Sequence, residues 1–147
     1  MPSTVQLHRV LRSSPALIYK AFTNADALAR WLPPNGYTAQ IHEFDASVGG
    51  KFKMSFTHFA SGNSHSFGGE YLELVADKLL RYTDVFDDPG LPGEMMVSVD
   101  LKQVSLGTEL NITQQGIPDV IPEEACHLGW QDSLASLARL VETDIPE

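Results

Sequence analysis

The chain has 147 residues, 43% of them hydrophobic and 20% charged, a balance that suits one globular core and argues against disorder. Ten basic residues against 19 acidic ones leave a net charge of −9, a sign that repels phosphate backbones and anionic lipid surfaces. The longest unbroken apolar run is the four residues Ala16 to Tyr19, too short to cross a bilayer, and the opening Met1-Pro2-Ser3-Thr4 carries no secretory pattern. The expectation is a single cytoplasmic domain over residues 1–147, monomer or homodimer, with no nucleic-acid or membrane partner. Cys126 is the lone cysteine, which excludes an intrachain disulfide and a cysteine-rich zinc site.

In chain order, residues 4 to 12 read as a strand with Val5, Leu7 and Val10 apolar. Ser13 or Ser14 can cap a helix that opens at Pro15 and runs to about Phe22, with Leu17, Ile18, Ala21 and Phe22 on its apolar side. Asn24 can cap a short second helix, Ala25 to Trp31, which Pro33-Pro34-Asn35-Gly36 stops. The period then changes to two. Tyr37 to Asp45 is a strand, and Gly49-Gly50 turns or bulges. In residues 51 to 59, Phe52, Met54, Phe56 and His58 share a face. Ser61-Gly62-Asn63-Ser64 reverses the chain. Ser66 to Val75 and Leu79 to Phe86 form the next pair, and Asp87 to Gly93 is a loop. Residues 94 to 104 alternate again with Met95, Val97, Val99 and Leu101 on one side, and Thr108 to Gln115 follows. A long helix runs from about Pro122 to Thr143, with Cys126, Trp130, Leu134, Leu137 and Val141 in one stripe. Short turns favour an antiparallel sheet, and the helix stripe must bury against it. The fold class is α+β: a curved antiparallel sheet wrapped around a long C-terminal helix.

That order of elements resembles the helix-grip fold of the START-like superfamily, also called SRPBCC, to which the birch-pollen-allergen-like proteins belong. Local sequence narrows the resemblance. The stretch Arg9 to Thr23, the segment Trp31-Leu32-Pro33-Pro34-Asn35-Gly36, Phe44-Asp45 with Gly49-Gly50, Tyr82 to Asp87, Gly93-Glu94-Met95, Gly107-Thr108 and Gly129-Trp130 are similar, in order, to landmarks of the activator of Hsp90 ATPase homologue-like family. The resemblance covers essentially the whole chain, and it is the order and spacing of its motifs that make it specific. It implies a hydrophobic-ligand space between sheet and helix, chemistry of the polyketide cyclase or aromatase type in some relatives, or a co-chaperone-like interaction role. The chain opens directly on the first strand, so the chaperone-binding domain of the eukaryotic co-chaperone is not expected, and neither is stimulation of a chaperone ATPase.

The chemistry of the residues is less definite. Cys126 and His127 are adjacent, so on a helix they diverge by about 100° and form no dyad. His8, His42, His58, His65 and His127 lack the spacing of a zinc protease, and although His58 and His65 can meet across a hairpin, a third ligand is not evident. Gly49-Gly50 and Gly68-Gly69 punctuate strands and do not cradle phosphate. No cofactor and no metal are expected. The aromatic and methionine residues of the apolar faces serve either as core or as the wall of a ligand pocket. Candidate ligand-binding residues are Trp31, Phe52, Met54, Phe56, His58, Tyr82, Asp84, Met95, Cys126, Trp130 and Ser133, with Trp31 near the mouth. Pattern alone leaves two faces open for the strand at 79–86: either Tyr82, Asp84 and Phe86 point inward, or Leu79, Thr83 and Val85 do. The strand at 69–75 has the same ambiguity. An inward Asp84 would have a raised pKa and could serve as acid or base. Ligand binding is the leading expectation, with a cyclase or aromatase-type enzyme and an interaction module as alternatives.

Overall fold

The computed structural model describes residues 2–143 and 145. Strand β1 spans Ser3–Leu11, and helices α1 (Pro15–Thr23) and α2 (Ala25–Trp31) follow. The Ser14 hydroxyl accepts from the Leu17 N–H at 3.2 Å and Pro15 opens the first turn, so α1 starts where its cap dictates. The Asn24 side chain does the same for Ala27 at 2.9 Å, which restarts the chain as α2 at once. Then come β2 (Tyr37–Phe44), β3 (Lys51–His58), β4 (Ser64–Val75), β5 (Leu79–Phe86), β6 (Met95–Val104), β7 (Gly107–Ile117) and α3 (Glu123–Val141).

The strands form one antiparallel sheet in the order β1-β7-β6-β5-β4-β3-β2. The two edge strands are thus the first and second in sequence, and α1 and α2 carry the chain from one edge to the other. With α3 set against this sheet, the architecture is the expected α+β helix grip. Two details differ from the sequence pattern. Leu11 is fully buried while Val10 is 49% exposed, because residues 5, 7 and 11 share the parity of the inner face. Leu17 is also exposed, since the inner side of α1 is set by Ile18, Ala21 and Phe22.

The core has two parts. The larger joins α1, α2 and the buried C-terminal half of α3 (Leu134, Leu137, Ala138 and Val141) to β1, β6 and β7. The smaller is Phe52, Met54, Phe67 and Tyr71 on β3 and β4. The backbone of α3 runs close to β1, α1 and α2, so its N-terminal half faces the second cluster across open space.

Glycine permits the sheet to close where β4 crosses between its neighbours. A methyl at Gly69 would sit 1.8 Å from the Thr83 carbonyl oxygen and 3.1 Å from the Phe52 ring. Thr83 also takes over a ladder position, its Oγ1 accepting from the Glu70 N–H at 3.0 Å. Replacing a strand glycine by alanine ordinarily gains about 0.5–1 kcal/mol. Gly69→Ala is expected to reverse that sign and cost about 1–3 kcal/mol, because the contact is with backbone and cannot swing away. Urea denaturation of the two proteins checks this.

Candidate functional site

The space between β3–β5 and the N-terminal half of α3 is a cavity of about 650 Å³. Its floor is built by strand alternation. Phe52, Met54 and Phe56 project from β3, Phe67 and Tyr71 from β4, and Tyr82, Asp84 and Phe86 from β5. The rings pack edge to face: Phe52 to Tyr82 at 5.6 Å, Phe56 to Phe67 at 4.8 Å and Tyr71 to Tyr82 at 5.8 Å between centroids. The roof comes from α3, with Cys126, Trp130 and Ser133 beside the bare Gly129. The mouth is framed by Leu32, Pro34 and Asn35 after α2, with Leu128 and Asp132 of α3.

The β4–β5 register resolves the ambiguity left by pattern. Phe67 pairs with Phe86 and Tyr71 with Tyr82, so even-numbered residues of β5 face the cavity. Pairing then slips by one between Tyr71 and Glu73, which puts Glu73 opposite Arg81 on the outer face and Leu74 opposite Leu80 on the inner one. The bulge explains why no single alternation fits residues 69–75.

Of the candidate residues, Phe52, Met54, Phe56, Tyr82, Asp84, Cys126, Trp130 and Ser133 line the cavity, and Trp31, His58 and Met95 do not. Trp31 is fully buried at the α1–α2 corner, edge-on to Phe22 at 4.7 Å, and its Nε1–H donates to the Ala21 carbonyl at 2.9 Å. It braces the short helices instead of the mouth. His58 keeps its face, but β3 runs past the end of the cavity there. Its ring packs on Tyr37 at 5.1 Å, and its Nδ1 lies 3.0 Å from the Ser61 hydroxyl. Met95 lies behind Gln114, whose Nε2 donates to the methionine sulfur at 3.3 Å. Gln114 in turn accepts from the Trp130 indole N–H at 2.8 Å, so the tryptophan is held against the wall and does not fill the space.

Sequence reading missed Phe67, Tyr71, Phe86 and Gln114 as lining residues. Phe86 was present in the inward alternative for β5 and Tyr71 in one of the two for the strand at 69–75, whereas Gln114 gave no signal, since a glutamine in a strand reads as solvent-facing. His65 reaches the cavity in place of His58. It pairs with Phe56 across the hairpin, and its pKa is lowered by desolvation. Among the described residues, no group of three histidine, cysteine, aspartate or glutamate side chains is placed to hold a metal ion.

Asp84 is the chemical anomaly of the wall. Its Oδ1 is buried and is the one buried side-chain polar atom, among the described residues, with no hydrogen-bond partner. Desolvation raises its pKa from 3.8 to about 7, against a weaker opposing pull from the Val85 backbone N–H. Tyr82 beside it is pushed well above the ordinary phenol value, first by burial and then by Asp84 and Tyr71. Burial also raises Tyr71, with a smaller push from Tyr19, and it raises the Cys126 thiol.

Residues 12–142 match the family described as activator of Hsp90 ATPase homolog 1-like protein. The chain belongs to this family. A structure from Chromobacterium violaceum is 56% identical to this chain, with a TM-score of 0.96 over 98% of this chain and 100% of that one. Proteins of Rhodobacter sphaeroides (19% identity, TM-score 0.84, 95% and 92% coverage) and Nitrosomonas europaea (23%, 0.80, 95% and 94%) share the fold. Comparison with curated proteins finds no sequence match.

Asp84 makes a stability prediction with a definite sign. The folded chain keeps the Asp84 proton up to about pH 7, and an ordinary carboxyl releases it near 3.8. Between those values the folded state binds more protons, so stability falls as pH rises and the loss levels off above about 7. Asp84→Asn carries no such penalty. Its stability relative to the parent is expected to grow from pH 4.5 to pH 7.5, read from urea midpoints at the two pH values.

Proposed function

We propose that this protein binds a small hydrophobic or aromatic molecule in the cavity between the sheet and the N-terminal half of α3. The observation that carries the reading is the cavity itself. It has about 650 Å³ of space and a wall of aromatic, methionine and aliphatic side chains with few polar groups. Such a volume and lining match small-molecule sites, and the thioether of Met54 and the stacked rings suit a flat apolar guest. Relatives with the helix-grip fold support the reading by analogy only.

A second reading has one specific observation in its favour. A buried carboxyl poised near neutrality, beside the hydroxyl of Tyr82, is the kind of group that moves protons in a cyclase-type reaction. Binding remains the simpler assignment, because Ser133, Trp130, Gln114 and Asp132 are already engaged by partners within the protein. The same proposal places the protein in the cytoplasm as one domain. The lone, half-buried thiol of Cys126 and the acidic charge agree with a reducing compartment and no nucleic-acid partner.

Trp31 lies away from the cavity and Trp130 lines it, so a Trp31→Phe variant reports on the site alone. Titration of that variant with Nile red is expected to change Trp130 fluorescence. A side chain added at Gly129 meets nothing within 4 Å and points into the space. Gly129→Phe is therefore expected to weaken dye binding at least about tenfold while leaving thermal stability near the parent's, since the substituted helix position loses glycine's entropic cost of about 1 kcal/mol. Unchanged dye affinity in Gly129→Phe would remove the cavity from consideration. Native mass spectrometry of the freshly purified protein, searching for a retained small molecule, is the direct route to the ligand.

A further inference from the structure

Resting on the cavity-binding reading, we propose that the ligand is a hydrophobic or aromatic amine whose nitrogen docks on Asp84. Among the described residues, one fully buried side-chain polar atom has no hydrogen-bond partner; it belongs to the cavity wall, and in a carboxylate it is an acceptor. Asp84 Oδ1 lies buried without a partner. Its strand neighbours on the same face are Tyr82 and Phe86. On β6 it pairs with Met95, whose sulfur is already engaged by Gln114. On β4 the register of the flanking pairs puts Gly69 across from it, a residue with no side chain and no room for one. Neither neighbouring strand places a donor across from this oxygen, and a donor on the occupant would complete it.

Four other polar side chains of the wall already have partners within the protein. The Ser133 hydroxyl donates to the Leu32 carbonyl, the Trp130 indole donates to Gln114, and Asp132 at the mouth accepts from the Asn35 N–H at 3.3 Å. Charge points the same way. Asp84 and Asp132 line the cavity, and no lysine or arginine does. A carboxylate or phosphate entering this space would meet carboxyl groups and no cation. A cation meets Asp84 among the aromatic rings of Phe52, Tyr82 and Phe86, a setting whose ring quadrupoles favour positive charge. Burial strengthens both contacts. The net charge of −9 also draws cations toward the molecule.

The pH dependence of binding follows from the groups that face Asp84. Tyr82 on its own strand and Tyr71 on β4 have raised pKa values and stay neutral through pH 8. Cys126 on α3 is raised by burial, and His65 on β4 is lowered and thus neutral above pH 7. Asp132 on α3 is held by Asn35. Asp84, with a pKa of about 7, passes from mostly protonated at pH 6 to mostly ionised at pH 8. The ionised form holds the ammonium, so amine affinity should rise about tenfold over that range.

The test uses the full chain and three molecules with one apolar body: 2-naphthylethylamine, 2-naphthylethanol and 2-naphthylacetic acid, each titrated by calorimetry at pH 6 and pH 8. At pH 8 the amine should bind at least tenfold more tightly than the alcohol, and the acid most weakly. The amine preference should shrink about tenfold at pH 6. Asp84→Asn should abolish the preference while the alcohol's affinity stays within about threefold. The pH series needs no substitution, so it decides the matter even if that variant folds poorly. An acid that binds as tightly as the amine, or an amine no better than the alcohol, overturns the amine assignment and leaves cavity binding intact. Failure of all three molecules, together with failure of Nile red, overturns the cavity reading and this inference with it.

Discussion

A single helix cannot cover a seven-stranded sheet. Six inter-strand steps of about 4.8 Å make a surface roughly 29 Å wide, whereas a helix with its side chains is about 10 Å across. The protein meets this mismatch by dividing the work. The C-terminal half of α3 and the two short helices seal the part of the sheet built from β1, β7 and β6. The β3–β5 side curves toward the N-terminal half of α3 without touching it closely, and the cavity is what remains. Leu134, Leu137 and Val141 fall where close packing is needed, and Cys126, Gly129 and Ser133 where it is not. The graded size of residues along one helix is thus a device for leaving space.

Space alone would collapse if the wall were soft. Here the wall is a set of interlocked rings, braced from behind. Phe44 packs on Tyr71 at 6.1 Å, and Phe67 on Phe86 at 6.4 Å. The chain of hydrogen bonds from Trp130 through Gln114 to the Met95 sulfur fixes the indole at the side of the cavity. The Ser133–Leu32 hydrogen bond ties the roof to the segment after α2. Aromatic rings and a tethered tryptophan resist the rearrangement that would otherwise fill a void of this size.

Within that dry wall Asp84 stands at a cost. A buried carboxyl with one oxygen unpartnered in apolar surroundings is destabilising, and the raised pKa is the same penalty expressed as proton affinity. A stability-optimised wall would place leucine there. The strand on one side contributes a bare glycine and the strand on the other an occupied methionine, so neither neighbouring strand answers the buried oxygen. Such an arrangement is economical only if something that enters the cavity completes it.

Much of this was written in the sequence. Period-two and period-three-to-four patterning, the caps Ser14 and Asn24, and the turn residues between strands determined the order of elements, because each is a local backbone preference. The helix stripe also announced which residues face the sheet, including the small ones near Cys126. What pattern could not decide was parity and depth. Asp84 faces inward because Phe67–Phe86 pairing holds the register and a bulge resets it after Tyr71, facts that belong to two strands at once. Trp31 and Met95 carry the right chemistry for a pocket wall, yet one is locked under Phe22 and the other is screened by Gln114. A sequence records what each residue prefers. Only the packed structure decides which of the residues pointing inward meet a neighbour and which meet empty space, because that depends on how far one helix can reach across a wider, curved sheet.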